Sequence, residues 1–211
     1  MKSIILAGED AVTKTCLRKI INHCDPETIV LNELPARGGQ LKSLINNLNK
    51  LSIDIPVILL TDLDNNDCAP SLKSTLLQGI EQNNNFIFNI ACDEAEAWLM
   101  SDKKNFSKYF KIPISSIPQK SNMGNRRKPY YELDFKYKSS LFLVNEVIKK
   151  SKDEKLIKMM TPDKGSYKGP EYNTAILPFI NSSWDIEQAK LNSDSLTKTV
   201  DRINRFLIST M

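Results

Sequence analysis

At 211 residues, 41% of them hydrophobic and 26% charged, the chain can bury one sizeable core, alone or with a smaller helical appendage, which excludes fibrous, collagenous and wholly disordered classes. Twenty-nine Lys and Arg against twenty-five Asp and Glu leave a formal net charge of +4, so any attraction to nucleic acid has to come from a local patch. No window approaches the roughly eighteen consecutive apolar residues of a membrane span, and the opening MKSIILAGED has an apolar run too short for a secretory signal. Cys16, Cys24, Cys68 and Cys92 stand singly, without a Cys-x-x-Cys pair, and read as reduced thiols of a cytoplasmic protein.

In chain order, residues 3–8 form an apolar run of strand length that ends at Gly8-Glu9-Asp10. Residues 11–22 place Val12, Cys16, Leu17, Ile20 and Ile21 at helical spacing. A second short strand is predicted at 28–31. The loop Leu34-Pro35-Ala36-Arg37-Gly38-Gly39 follows, then an amphipathic helix over 40–50. The third strand is 56–61, the third helix 69–82 and the fourth strand 86–91. A helix then opens at Asp93-Glu94-Ala95-Glu96, with acids in the first turn where the macrodipole favours them. Strands alternating with helices predict right-handed crossovers and a mostly parallel α/β sheet over residues 1–101. From 102 to 211 the chain reads as a predominantly helical region packed on that core, with helices near 139–150, 153–160, 172–180 and 194–208. A basic, Pro-punctuated loop lies near 120–138.

Ligands of an open parallel sheet bind beyond the carboxyl ends of its strands. Three of the four predicted strands end there in acids: Glu9 and Asp10, then Asp62 and Asp64, then Asp93, Glu94 and Glu96. In extended backbone, residues i and i+2 point the same way, so Asp62 and Asp64 are expected to face one site. Like charges in a crevice call for a cation, and Mg²⁺ or Mn²⁺ suits an all-oxygen donor set. The same acids also have structural readings. Asp10 suits the cap of the first helix, Asp67 a turn or the cap of the third, and Asp93 to Glu96 a helix dipole. His23 is the one histidine, just past the first helix.

The stretches GEDAVTKTCLRKII, LLTDLDNNDCAPSL, DEAEAWLMSD, KGPEYN and SWDIEQAKLNSDSL, in that order, resemble a family of small prokaryotic TOPRIM-like proteins, related to the TOPRIM domain of OLD-type nucleases. The resemblance implies a TOPRIM-like, doubly wound sheet and divalent-metal-dependent phosphodiester hydrolysis of DNA or RNA. In that reading Glu9 is a metal ligand or general acid/base, Asp62 and Asp64 are metal ligands, and Glu94 and Glu96 are candidates for a second metal. Where OLD-type nucleases carry a further acid after the first Glu, this chain has Thr13 and Lys14, with Asp10 as the nearest substitute. No G-x-x-x-x-G-K-[ST] phosphate loop is present. The resemblance therefore implies a separate ABC- or AAA-type ATPase partner and a role in defence against phage or mobile DNA.

A nuclease must also hold a polyanion. Arg126, Arg127, Lys128, Lys136 and Lys138, interleaved with Tyr130, Tyr131 and Tyr137, offer phosphate contacts and a stacking surface; the plainer reading is a solvated basic loop. In the loop before Pro170, Lys164 is a candidate for steadying transition-state charge and Lys168 for the same task or for nucleic-acid contact. Arg37-Gly38-Gly39 is either a phosphate cradle or a turn into a helix. Trp98, Trp184, Phe179 and Leu196 are assigned to packing. Two other functions fit parts of the pattern: a phosphoacceptor receiver-like module, built on Glu9-Asp10 with Asp62 or Asp64, and a catalytically silent TOPRIM-like interaction protein. A homo-oligomer is compatible with either.

Overall fold

The computed structural model describes residues 2–36, 41–64, 66 and 68–209. Arg37-Gly38-Gly39 and Asp67, read above as a phosphate cradle or turn and as a turn or cap, lie outside the described residues. The chain is α/β and about half helical, and it divides into two compact units. One comprises the residues up to Cys92 together with those from Lys198 onward; the other is Asp93–Thr197. The division falls nine residues before the expected change near Ser101. Asp102, at that expected boundary, is buried inside the second unit, where its carboxylate accepts from the Asn105 amide (3.3 Å) and the Asp185 amide (2.8 Å).

In the first unit, four branched or aliphatic runs make four parallel strands: β1 (Ser3–Gly8), β2 (Ile29–Pro35), β3 (Val57–Asp62) and β4 (Phe86–Ala91). Helices α1 (Ala11–Cys24), α2 (Leu41–Leu51) and α3 (Ala69–Leu77) connect them, and the strand order is β2-β1-β3-β4. Ile5, Ala7, Val57, Leu59, Phe86 and Phe88 alternate onto one face and are buried with Ile45 and Leu48 of α2; Leu72 and Leu76 of α3 pack against them. The intervening Ile4, Leu6, Ile58 and Leu60 are buried too, as are Val12, Cys16, Leu17, Ile20 and Ile21 of α1. Strands this thoroughly apolar are what a sheet covered on both faces requires. Each large aliphatic so buried contributes roughly 1.5–3 kcal/mol.

The winding reverses between β1 and β3. From β1 the chain steps outward to β2, then returns across β1 to β3 and on to β4. Helix α3 stops at Leu77, short of the expected 82, because Gly79 takes a left-handed conformation (φ 79°) and turns the chain back toward β4. β2 is an edge strand and ends on Pro35, where a missing N–H costs no ladder bond.

The second unit holds helices α4 (Ala95–Ser101) and α5 (Lys103–Tyr109), then an antiparallel hairpin of β5 (Lys120–Asn122) and β6 (Tyr131–Leu133). Helix α6 (Ser139–Phe142) runs on through a π turn (Leu143–Val147) into a 3₁₀ turn (Ile148–Lys150). Helices α7 (Glu154–Met160), α8 (Tyr172–Ser182) and α9 (Ile186–Lys190) follow, and the start of α10 (Asp194–Ser209) completes the unit. Its core is aromatic: Phe106 lies 4.4 Å from Phe110 and 5.2 Å, edge-on, from Phe179. Trp98, Trp184, Phe179 and Leu196 are all buried, as packing required. Both indoles find acceptors: Trp98 Nε1 donates to Ser195 Oγ (2.7 Å) and Trp184 Nε1 to the Trp98 carbonyl (3.3 Å). Among the described residues, no helix is long and apolar enough to cross a membrane.

Candidate carboxylate site

Glu9 is the first residue past β1, and Asp62 is the last of β3, its neighbour in the sheet. The register that sets Gly8 beside Leu60 brings Glu9 alongside Thr61. Glu9 Oε1 there accepts from the Thr61 hydroxyl and from the Asp62 amide (3.2 Å). Burial drives the Glu9 pKa up. The bonds from Thr61 and Asp62 pull it down, and the negative charges of Asp64 and Asp10 push it up again. Gly8 is what lets α1 start so close to the strand end. A Cβ there would lie 2.9 Å from Lys14 Cγ and 3.2 Å from the Lys14 amide.

Of two expectations about the neighbouring acids, the cap at Asp10 holds and the shared orientation of Asp62 and Asp64 changes. Asp10 is the N-cap of α1, its Oδ1 accepting from the Thr13 amide (2.9 Å) and the Thr13 hydroxyl (3.1 Å). That is its structural reading, and it accounts for threonine at position 13. Asp64 is not in extended backbone. Its φ of 51° places it in the left-handed region two residues past β3, so the i, i+2 rule does not make it face with Asp62. Asp64 reaches the site by that turn, and its charge bears on Glu9. Among the described residues, no three His, Cys, Asp or Glu side chains form a ready-made metal cluster.

Asp93, Glu94 and Glu96 belong to the second unit. Asp93 is left-handed (φ 61°), and Asp93 and Glu94 turn to a helix other than their own. Asp93 Oδ2 accepts from the Ser139 amide (2.9 Å) and Glu94 Oε2 from the Ser140 amide (2.8 Å), which satisfies the first amides of α6. Burial, with Glu94 close by, raises the Asp93 pKa to about 6. Lys138 Nζ stands 3.8 Å from Glu94 Oε1.

Glu96, 2% exposed, accepts at Oε1 from Lys168 Nζ (2.8 Å) and the Tyr172 hydroxyl (2.9 Å). Lys168 also lies over the Tyr172 ring, 4.7 Å from its centre. The bend that delivers Lys168 and Tyr172 needs Gly169, where a Cβ would run into the backbone of Met159 and Met160. The DEAEAW and KGPEY stretches are thus joined by one buried polar cluster. Lys168, expected at a nucleic-acid surface, spends its charge on Glu96.

Lys164 is exposed in the turn that contains Gly165 (φ 90°). Arg126, Arg127, Lys128 and Lys136 are exposed as well, the first three at the tip of the β5–β6 hairpin, where the sequence suggested only a loop. His23 sits in the last turn of α1. Sequence reasoning missed the residues that orient the acids: Thr61, Ser139, Ser140 and Tyr172. A hydroxyl closing the aliphatic run VILLT was the available signal for Thr61. Nothing local marks the serines, which act across more than forty residues. Also unforeseen is Glu132, buried in β6, which accepts from the Ser195 amide and the Ser193 hydroxyl (both 2.6 Å) and so caps α10.

The family model described as Domain of unknown function (DUF4276) matches residues 7–183, most of the chain, and the chain belongs to that family. No curated protein and no solved structure matches it.

Proposed function

We propose that this member of the family is a divalent-metal-dependent, TOPRIM-like nuclease whose centre is Glu9 with Asp62 and Asp64. One observation carries the reading. At the point where the strand order reverses, the place where open α/β sheets bind ligands, the carboxylate ending β1 is bonded to the end of β3, with a further acid bearing on it. A carboxylate lifted by burial, and further by neighbouring negative charge, gains from a cation.

The donor set fits Mg²⁺ or Mn²⁺ rather than a softer metal. All three side chains offer hard oxygens, and Mg²⁺ is usually held by one or two carboxylates, with water and phosphate completing its shell. The Thr61 hydroxyl and Asp62 amide fix Glu9 through Oε1, leaving Oε2 for a ligand or a proton. A bound cation would supply polarisation of the scissile phosphate and a more acidic attacking water. Asp62 and Asp64 would hold it, and Glu9 would hold it or move a proton at Oε2. Glu94 and Glu96 are already supplied with lysines and donors, so the proposal leaves them structural. Exposed Lys164 remains a candidate for substrate charge. The separate ATPase and the defence role rest on the resemblance alone.

The test is purified protein with Mg²⁺ or Mn²⁺ and plasmid, single-stranded DNA or RNA, beside an Asp62→Ala/Asp64→Ala variant, with metal binding followed by calorimetry. Cutting and metal heat lost together in the variant are expected. Equal residual cutting by the variant would sink the assignment. Absence of metal heat in the unaltered chain would favour a silent interaction protein.

A further inference from the structure

The β5–β6 hairpin is a longer and better-made object than its two three-residue strands suggest. Beyond them the ribbon continues: the Met123 amide donates to the Tyr130 carbonyl (2.6 Å), and Asn125 pairs with Lys128 across a two-residue turn. The corner residues of that turn are Arg126 and Arg127. Asn125 Oδ1 accepts from the amides of Arg127 (3.0 Å) and Lys128 (2.9 Å), and Asn122 Oδ1 from those of Gly124 and Tyr130 (both 2.9 Å). Gly124 is obligatory, because a Cβ there would overlap the Lys128 carbonyl oxygen. The base is anchored through buried Glu132 and through the Tyr131 amide, which donates to Asp194 Oδ2 (3.0 Å). From Lys120 to Arg126 the ribbon spans about 20 Å at ~3.4 Å per residue.

Three consecutive cations crown this fixed ribbon, all exposed, and no ion pair ties any of them to an acid among the described residues. Cations at a solvated loop scatter. Cations on a turn set by two asparagine side chains and a required glycine keep their spacing, and the ordering cost of binding is already met. Below them, Met123 is 49% exposed and Tyr131 38% exposed, with Lys120 Nζ 5.0 Å over the Tyr131 ring.

We propose that the hairpin is a docking arm for B-form DNA, entering the major groove with Arg126 and Arg127 at its tip and Lys128 on the flanking phosphates. A two-stranded ribbon matches the B-form major groove, about 12 Å wide, whereas the deep, narrow major groove of an A-form RNA helix does not admit it. The inference deepens the nuclease reading by naming the substrate's form. Binding is measured without metal, so a failure of docking and a failure of cleavage are read separately.

The experiment is fluorescence anisotropy of the full chain in EDTA with labelled DNA duplex, RNA duplex and single-stranded DNA of one sequence, over a salt series. DNA duplex should bind at least ~10-fold tighter than either of the others. Arg126→Ala/Arg127→Ala/Lys128→Ala should weaken it at least ~10-fold and reduce the log–log salt slope by about 1, at ~0.9 for the phosphate contact of Lys128. Lys149→Ala/Lys150→Ala/Lys155→Ala, an equal loss of charge at exposed positions, should leave both unchanged. Gly124→Ala should weaken binding with all charges retained. Methyl green, a major-groove ligand, should displace the protein, and netropsin should not. Equal binding of RNA duplex, an unaltered salt slope in the tip variant, or displacement by netropsin alone would each overturn the proposal.

Discussion

Asp93 offers a stability measurement in which the sign as well as the size is set by the structure. Its pKa is about 6 in the folded chain, against an ordinary value of 3.8. Between those pH values the folded state holds a proton that the unfolded state has lost, so stability falls as pH rises through the window and levels off above it. A gap of about two pH units at 1.36 kcal/mol each sets a ceiling of about 3 kcal/mol, and partial solvent contact reduces it to about 1–2 kcal/mol. Asp93→Asn keeps an oxygen to accept the Ser139 amide while removing the charge that Glu94 and Glu96 repel. The variant should match the unaltered chain at pH 4 and below and exceed it by about 1–2 kcal/mol at pH 7. Urea denaturation followed by tryptophan fluorescence reads the relevant unit, because the chain's two tryptophans, Trp98 and Trp184, both lie in it. A difference constant with pH, or one that favours the unaltered chain at pH 7, would refute the reasoning.

The same assay reads three further changes. Lys168→Met takes the cation from buried Glu96 and leaves it the Tyr172 hydroxyl, which should cost about 2–4 kcal/mol; adding Glu96→Gln should recover at least half of it, since the cost is a buried charge that has lost its cation and not lost packing. Gly169→Ala, against backbone that cannot yield, should cost about 1–3 kcal/mol, more than the same change at Gly165, whose surroundings are open but whose left-handed φ still penalises a side chain. Glu132→Ala removes the acceptor for the Ser195 amide in the first turn of α10 and for the Ser193 hydroxyl and should cost about 2 kcal/mol. For the carboxylate site, Thr61→Val keeps shape and removes the hydroxyl donor to Glu9; on the nuclease reading, cleavage should fall at least ~10-fold while the unfolding free energy, followed by far-UV circular dichroism, stays within ~1 kcal/mol.

Most of the first unit was legible because its signals are local and redundant. Three unbroken apolar runs can only be strands covered on both faces, and helical spacing between them forces crossovers, so β1, β3 and β4 fall within a residue of their expected bounds, whereas β2, an edge strand that carries Asn32 and Glu33, runs to Pro35, beyond the expected 31. Errors arose where one residue's backbone overrode the pattern. Left-handed Gly79 cuts α3 short, left-handed Asp64 breaks the i, i+2 argument, and left-handed Asp93 sends two acids to α6 when their position suggested α4. The hairpin was invisible to periodicity because its ladder rests on asparagine side chains and a glycine, with no alternation of apolar residues. The acids at the strand ends could be found by type and position. Their orienting partners could not, since a hydroxyl or amide acquires that role only through distant pairing in the folded chain.

The helix that begins in one unit and ends in the other has a consequence for synthesis. Residues 93–197 form a continuous insertion between two pieces of the first unit, the second of which is α10 from Lys198 onward. On a ribosome the inserted unit is therefore complete before the unit that began first. Until α10 emerges, buried Asn89 of β4 lacks its Arg202 donor (2.6 Å) and Cys24 its Val200 acceptor (3.7 Å). Glu9, Asp62 and Asp64 belong to the part of the protein that finishes folding last, so a prematurely terminated chain carries a finished second unit and an unfinished sheet.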